Sequence, residues 1–103
     1  MSGNVRINWT LPTTREDGDS LDISEIAHVS ISSRVAGVGN FVEINQVLPD
    51  TLTLLVQDLA SGDWEFQGEV VDSTGKKSKP VTGVISIPFA PPNPLSTFDL
   101  TLE

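Results

Sequence analysis

Apolar and polar residues take turns along most of this chain. Val5, Ile7, Trp9 and Leu11 alternate with Arg6, Asn8 and Thr10, the period of a strand that buries one face. Ala27, Val29 and Ile31 alternate with His28, Ser30 and Ser32, which puts Ala27 on the core side and His28 on the polar side. Val42 and Ile44 flank Glu43; Leu52, Leu54 and Val56 flank Thr53 and Leu55; Trp64, Phe66, Gly68 and Val70 interleave with Glu65, Gln67 and Glu69. Each run predicts a half-buried strand. Between them lie clusters of turn formers at residues 12–19, 36–40, 49–50, 61–63 and 72–75, rich in Gly, Pro, Asp and Ser. No stretch of ten or more residues carries a capped helical stripe. Short strands at regular spacing, joined by polar turns, predict an all-β antiparallel sandwich.

The chain has 103 residues, enough for one domain with a single core and a radius of gyration of about 13 Å. It has no cysteine and one histidine, so neither disulfides nor the usual zinc sites are expected. Fourteen acids against six bases give a net charge of -8, which repels phosphate backbones and anionic headgroups; no nucleic acid and no membrane are expected as partners. No apolar run approaches a membrane span, and Met1-Ser2-Gly3-Asn4 lacks the features of a signal peptide, so the chain reads as a soluble cytoplasmic product or one released by lysis.

The run Ile7-Asn8-Trp9-Thr10-Leu11-Pro12-Thr13-Thr14-Arg15-Glu16-Asp17-Gly18, then Leu21 and the strand at residues 26–31, resembles the second and third strands (B and C) of a fibronectin type III domain. Leu59-Ala60-Ser61-Gly62-Asp63-Trp64-Glu65-Phe66, followed by Val70-Val71-Asp72-Ser73-Thr74-Gly75-Lys76-Lys77-Ser78-Lys79-Pro80, is similar to the family's E-F corner, F strand and F-G loop. Together these pieces cover residues 4–88. The resemblance implies a fibronectin type III-like (immunoglobulin-like) sandwich over residues 1–88. Trp64 stands where the family usually has a corner Tyr, and Val29 where it has a buried Tyr on the third strand. Only eight residues precede Trp9, so strand A is expected to be missing at the N-terminus.

Residues 89–103 form a second unit. A stiff segment, Pro88-Phe89-Ala90-Pro91-Pro92-Asn93-Pro94, leads to Phe98, Leu100 and Leu102 alternating with Thr97, Asp99, Thr101 and Glu103. This predicts a spare C-terminal strand on a polyproline linker. Three apolar side chains on one face favour docking on a sheet edge. The linker spans roughly 22 to 25 Å and the strand roughly 23 Å, so the strand can dock in cis, along its own sandwich, or in trans, by strand addition to another subunit.

Candidate chemistry is sparse. Asp17, Asp19 and Asp22 around Gly18 have the oxygen ligands of a calcium loop but no glutamate at the twelfth position, and a solvated turn accounts for them. His28 has no serine or carboxylate spaced to form a triad. Glu65 and Glu69 resemble a glycosidase pair only in type, because both lie on the outward phase of their strand. Lys76, Lys77 and Lys79 form the one concentration of positive charge and are candidate loop contacts to an acidic partner, against the alternative of a solvated hairpin tip. Asn8-Trp9-Thr10 fits a glycosylation sequon inside a strand; residues 36–40 lack the Lys of a phosphate loop. No Arg-Gly-Asp is present.

No acid, base and nucleophile converge, so no enzyme and no cofactor are expected. The resemblance implies a non-catalytic module for adhesion, spacing or assembly through protein-protein contacts. The leading expectation is a small bacteriophage virion protein, a decoration or tail component found in the virion and in the host cytoplasm during assembly, with Phe98, Leu100 and Leu102 as partner-binding anchors and self-association by strand addition. The alternative is an accessory module of a secreted bacterial polysaccharide-degrading enzyme, which keeps carbohydrate open as a ligand. A third class is a small phage inhibitor of a host factor.

Overall fold

The computed structural model describes residues 2–103 and is all-β, with six strands and one 3-10 turn. The strands are β1 (Ser2–Asn8), β2 (Ile26–Val35), β3 (Val42–Val47), β4 (Thr53–Ala60), β5 (Gly62–Asp72) and β6 (Val81–Ile87). They form two antiparallel sheets, β1-β4 and β3-β2-β5-β6, consistent with a β-sandwich.

Alternation specifies which strand faces are buried, and three bulges change its phase locally. On β2, Ile26 pairs with Asp72 and His28 with Val71, leaving Ala27 as the extra residue. The expected core position of Ala27 is therefore corrected: Ile26 is buried, Ala27 exposed and His28 half-buried. On β3 the extra residue is Ile44, because Ile31 pairs with Asn45 and Ser32 with Glu43. Val42 and Ile44 are consequently exposed, and Val47 carries the buried contact of that strand. On β4 the extra residue falls beside Asp58, whose φ of 60° is accommodated as its N–H donates to Asn4 Oδ1 at 3.1 Å.

The core divides into two clusters. Val5, Phe66 and Ile87 form one, with Trp64 and Leu59 packed against it. Val29, Ile31 and Val47 form the other, with Trp9 and Leu54 against it. Ile7 touches both. Among the described residues no side chain reaches full burial, as befits a sandwich whose smaller layer has two strands.

The chain crosses between sheets at Ser61, from β4 to β5, with Gly62 at a φ of 130°. The Trp64 indole N–H donates to the Ala60 carbonyl at 2.9 Å, bracing this corner from four residues downstream. Trp64→Phe keeps a ring over the first cluster but removes the donor. Its expected cost is about 1 to 2 kcal/mol, measurable as a lower urea midpoint at unchanged slope; an unchanged midpoint would remove the brace from the account.

Residues 88–103 leave the sandwich without forming a strand, and the expected strand over residues 97–103 is not paired within the chain. The long axis is accordingly 81 Å against 23 and 20 Å across, and the radius of gyration is 20.7 Å instead of the expected compact value.

Candidate functional site

The smaller layer covers only part of the larger one. β1 pairs with β4 alone among the described residues, so its outer edge is free, and β6 is the edge strand of the other sheet on the same side. At one end the layers meet: a Cβ on Gly3 would lie 3.1 Å from the Ile87 side chain. Toward the other end they part, leaving a groove of about 400 Å³ lined by Val5, Ile7 and Trp9 on one wall and Val81, Gly83 and Ile85 on the other, with Ile31 and Phe66 at its floor. Val81 and Ile85 share the phase of buried Ile87, yet they are 75% and 42% exposed. They are inner-face residues with no layer above them. The Trp9 indole N–H, also in the groove, is buried without a hydrogen-bond partner.

Arg6 projects at this edge. It donates to Thr53 Oγ1 at 3.1 Å and makes no ion pair among the described residues. Arg34 and Arg15, by contrast, are both paired. Arg34 reaches Glu65 at 2.7 Å and stacks on the Phe41 ring at 4.3 Å. That contact, first of all, holds the Glu65 carboxyl below its ordinary range.

At the loop end of the sandwich, the Asp72 carboxylate gathers four donors. Its Oδ1 accepts from the Thr74 N–H and hydroxyl and the Lys76 N–H, at 2.7 to 2.9 Å, and its Oδ2 accepts from Arg15 at 2.9 Å. Arg15 also reaches Glu25 at 3.0 Å. The Asp72 backbone N–H in turn donates to the Lys76 carbonyl at 2.9 Å. The Arg15 hydrogen bond is the largest cause holding the Asp72 carboxyl far below its usual range, with Thr74 next. Glu25 is lowered likewise, chiefly by Arg15. This clasp ties the β1-β2 loop to the β5-β6 hairpin.

The remaining sequence candidates fall where solvated structure accounts for them. Asp22 caps the 3-10 turn (Ile23–Glu25) in a capping box, and Asp17 accepts the Asp19 N–H at 3.0 Å in a local turn around Gly18. No group of three or more acids or histidines suited to a metal occurs among the described residues. Glu69 accepts from Gln67 and does not converge with Glu65. Lys76, Lys77 and Lys79 line a wide trough of about 1050 Å³, facing Glu16 and Asp17. The ammonium of Lys79 lies 3.8 Å from Glu16. Ser30 donates to Glu43 at 2.6 Å, which lowers the Glu43 carboxyl. Among the tail anchors, Phe98 is 76%, Leu100 89% and Leu102 99% exposed. The Arg15–Asp72 clasp and the groove itself have no motif in the sequence; only the turn type at residues 72–75 hinted that Asp72 faces inward to its own loop.

No protein-family model matches the chain, and no match to a curated protein is found. No helix among the described residues is long and apolar enough to cross a membrane.

Proposed function

We propose that this chain is a non-catalytic binding and assembly module that acts through protein-protein contacts, as a small structural component of a bacteriophage virion. The observation that carries the reading is the half-covered sandwich: inner-face Val81 and Ile85 stand open beside the free edge of β1, and an apolar tail projects from the same molecule. Apolar surface of this kind is tolerated where another protein covers it.

The fibronectin type III-like topology is part of the proposal. A sheet ordered β3-β2-β5-β6 facing β1-β4 corresponds to C'-C-F-G facing B-E, with the A position beside β1 unfilled. The Trp64 bond to Ala60 does the work that a corner tyrosine does in immunoglobulin-like folds. Single modules of this sequence style in phage structural proteins motivate the virion setting.

Mass spectrometry of purified particles is the test. The expected result is this chain at stoichiometric copy number in the particle; its absence from particles of a phage that encodes it overturns the virion reading.

A further inference from the structure

The open groove is apolar with Arg6 at its edge, and the tail carries three apolar side chains interleaved with Asp99 and Glu103, but the path of the chain keeps them apart in one molecule. β6 ends at Ile87, at the closed end of the groove beside Gly3. A strand added antiparallel to β1 must enter at the other end, beside Trp9. Climbing there takes about 23 Å along a seven-residue strand. Residues 88–97, extended by Pro88, Pro91, Pro92 and Pro94, span about 31 Å in polyproline geometry. Roughly 8 Å, under three residues of chain, is then left for the reversal that antiparallel entry needs, and the linker instead carries the tail outward along the 81 Å axis.

We propose that residues 98–103 of one copy add as an antiparallel strand to the free edge of β1 in a second copy, closing that copy's groove. The inference rests on the assembly reading above and names its partner. The register that fits places Phe98 opposite Trp9, Leu100 opposite Ile7 and Leu102 opposite Val5, so the three apolar side chains enter the open part of the groove above Val81 and Ile85. Thr101 then lies opposite Arg6, with Asp99 and Glu103 at the two diagonal positions, within reach of a long side chain. Among the described residues Arg6 is the groove-edge cation without a carboxylate, and the tail brings two.

The bulges and the charges together select the edge. Of the other three edge strands, β3 and β4 each carry a bulge, at Ile44 and beside Asp58, a device that discourages strand addition, and β6 (Val81–Ile87) has no cation to meet Asp99 and Glu103. β1 carries no extra residue, and the β5-β6 ladder on the other wall of the groove has no register shift. Because the donor's own groove stays open for a third copy, the contact is head-to-tail and generates a series of oligomers that does not stop at a dimer.

Sedimentation velocity on the full chain tests this. The expected result is a concentration-dependent ladder of oligomers, reduced to monomer by Leu100→Asp with an unchanged melting temperature, since the tail packs on a neighbour. Arg6→Glu weakens association at least tenfold, and adding Asp99→Lys with Glu103→Lys recovers most of the loss. The chain has no cysteine of its own, so mixing an Arg6→Cys chain with a Thr101→Cys chain under oxidation yields a disulfide-linked pair. A dilute Arg6→Cys/Thr101→Cys chain that closes its own disulfide shows docking in cis and overturns the proposal. A monomer at millimolar concentration also overturns it. Oligomers that survive Leu100→Asp overturn strand donation while leaving the assembly reading intact, and that reading falls separately if particles lack the chain.

Discussion

Phe66→Ala lowers the stability of the chain by about 3 to 5 kcal/mol, a large fraction of the roughly 5 to 15 kcal/mol of a typical domain. Phe66 is 9% exposed at the centre of β5, opposite Ser33 on β2 and Gly83 on β6. It is the one aromatic side chain in the core cluster of Val5 and Ile87 that is itself buried. No third strand in the smaller sheet stands ready to collapse into the space, and the open groove lies directly above. Replacement therefore both removes packing and lets water into the floor of the groove. Urea denaturation followed by far-ultraviolet circular dichroism measures it. A loss under 1 kcal/mol would mean that the first cluster does not hold the layers together.

The second large effect is at the loop end and depends on pH. Asp72→Ala leaves the Thr74 and Lys76 N–H groups and the Arg15 guanidinium without their acceptor. A fall in melting temperature of about 5 °C or more at pH 7 is expected. Asp72→Asn, which keeps an oxygen for the turn but loses the ion pair with Arg15, falls between the variant and the parent. The folded-state carboxyl is depressed from 3.8, so its stabilising contribution is fully present above that value and is lost as pH falls through the folded pKa. Glu25 and Glu65 are lowered in the same sense and add to the acid sensitivity of the parent chain. The gap between parent and Asp72→Asn is therefore constant from pH 7 to about 5 and narrows below 4. A gap that widens on acidification would contradict the clasp. Arg15→Gln also destabilises at pH 7, since it removes the contacts to both Asp72 and Glu25, but it keeps part of the acid dependence because Thr74 and Lys76 still hold the Asp72 carboxyl low.

Much of this architecture was legible in the chain. Period-two patterning in Val5-Arg6-Ile7-Asn8 and in Trp64-Glu65-Phe66-Gln67 marks strands because side chains alternate across a sheet, whatever their neighbours. Turns at Gly18, Gly37, Gly39, Gly62 and Gly75 were equally legible, and all five take the positive φ that glycine accepts readily. β6 was harder to read. Gly83 interrupts its inward phase and Val84 adds an apolar residue to the outward one, since a strand whose inner face lies open is not required to alternate cleanly. The phase errors at Ala27 and Ile44 have a related cause: a bulge inserts one residue, and only the partner strand's register reveals it.

The candidate site divides in the same way. The apolar rhythm of Phe98, Leu100 and Leu102 is a local property and marks a strand-forming segment without specifying its partner. Arg15 and Asp72, 57 residues apart, are one arginine and one aspartate in a chain with fourteen acids; their pairing exists only once β5 and the β1-β2 loop lie side by side. The groove is likewise a property of two layers of unequal width. Sequence alone determined the strand content, the turns and the acidic surface, because these follow from the chemistry of neighbouring residues. Tertiary structure decided which apolar face stays uncovered and which arginine lacks a carboxylate, because both depend on what the folded chain brings, or fails to bring, within a few ångströms.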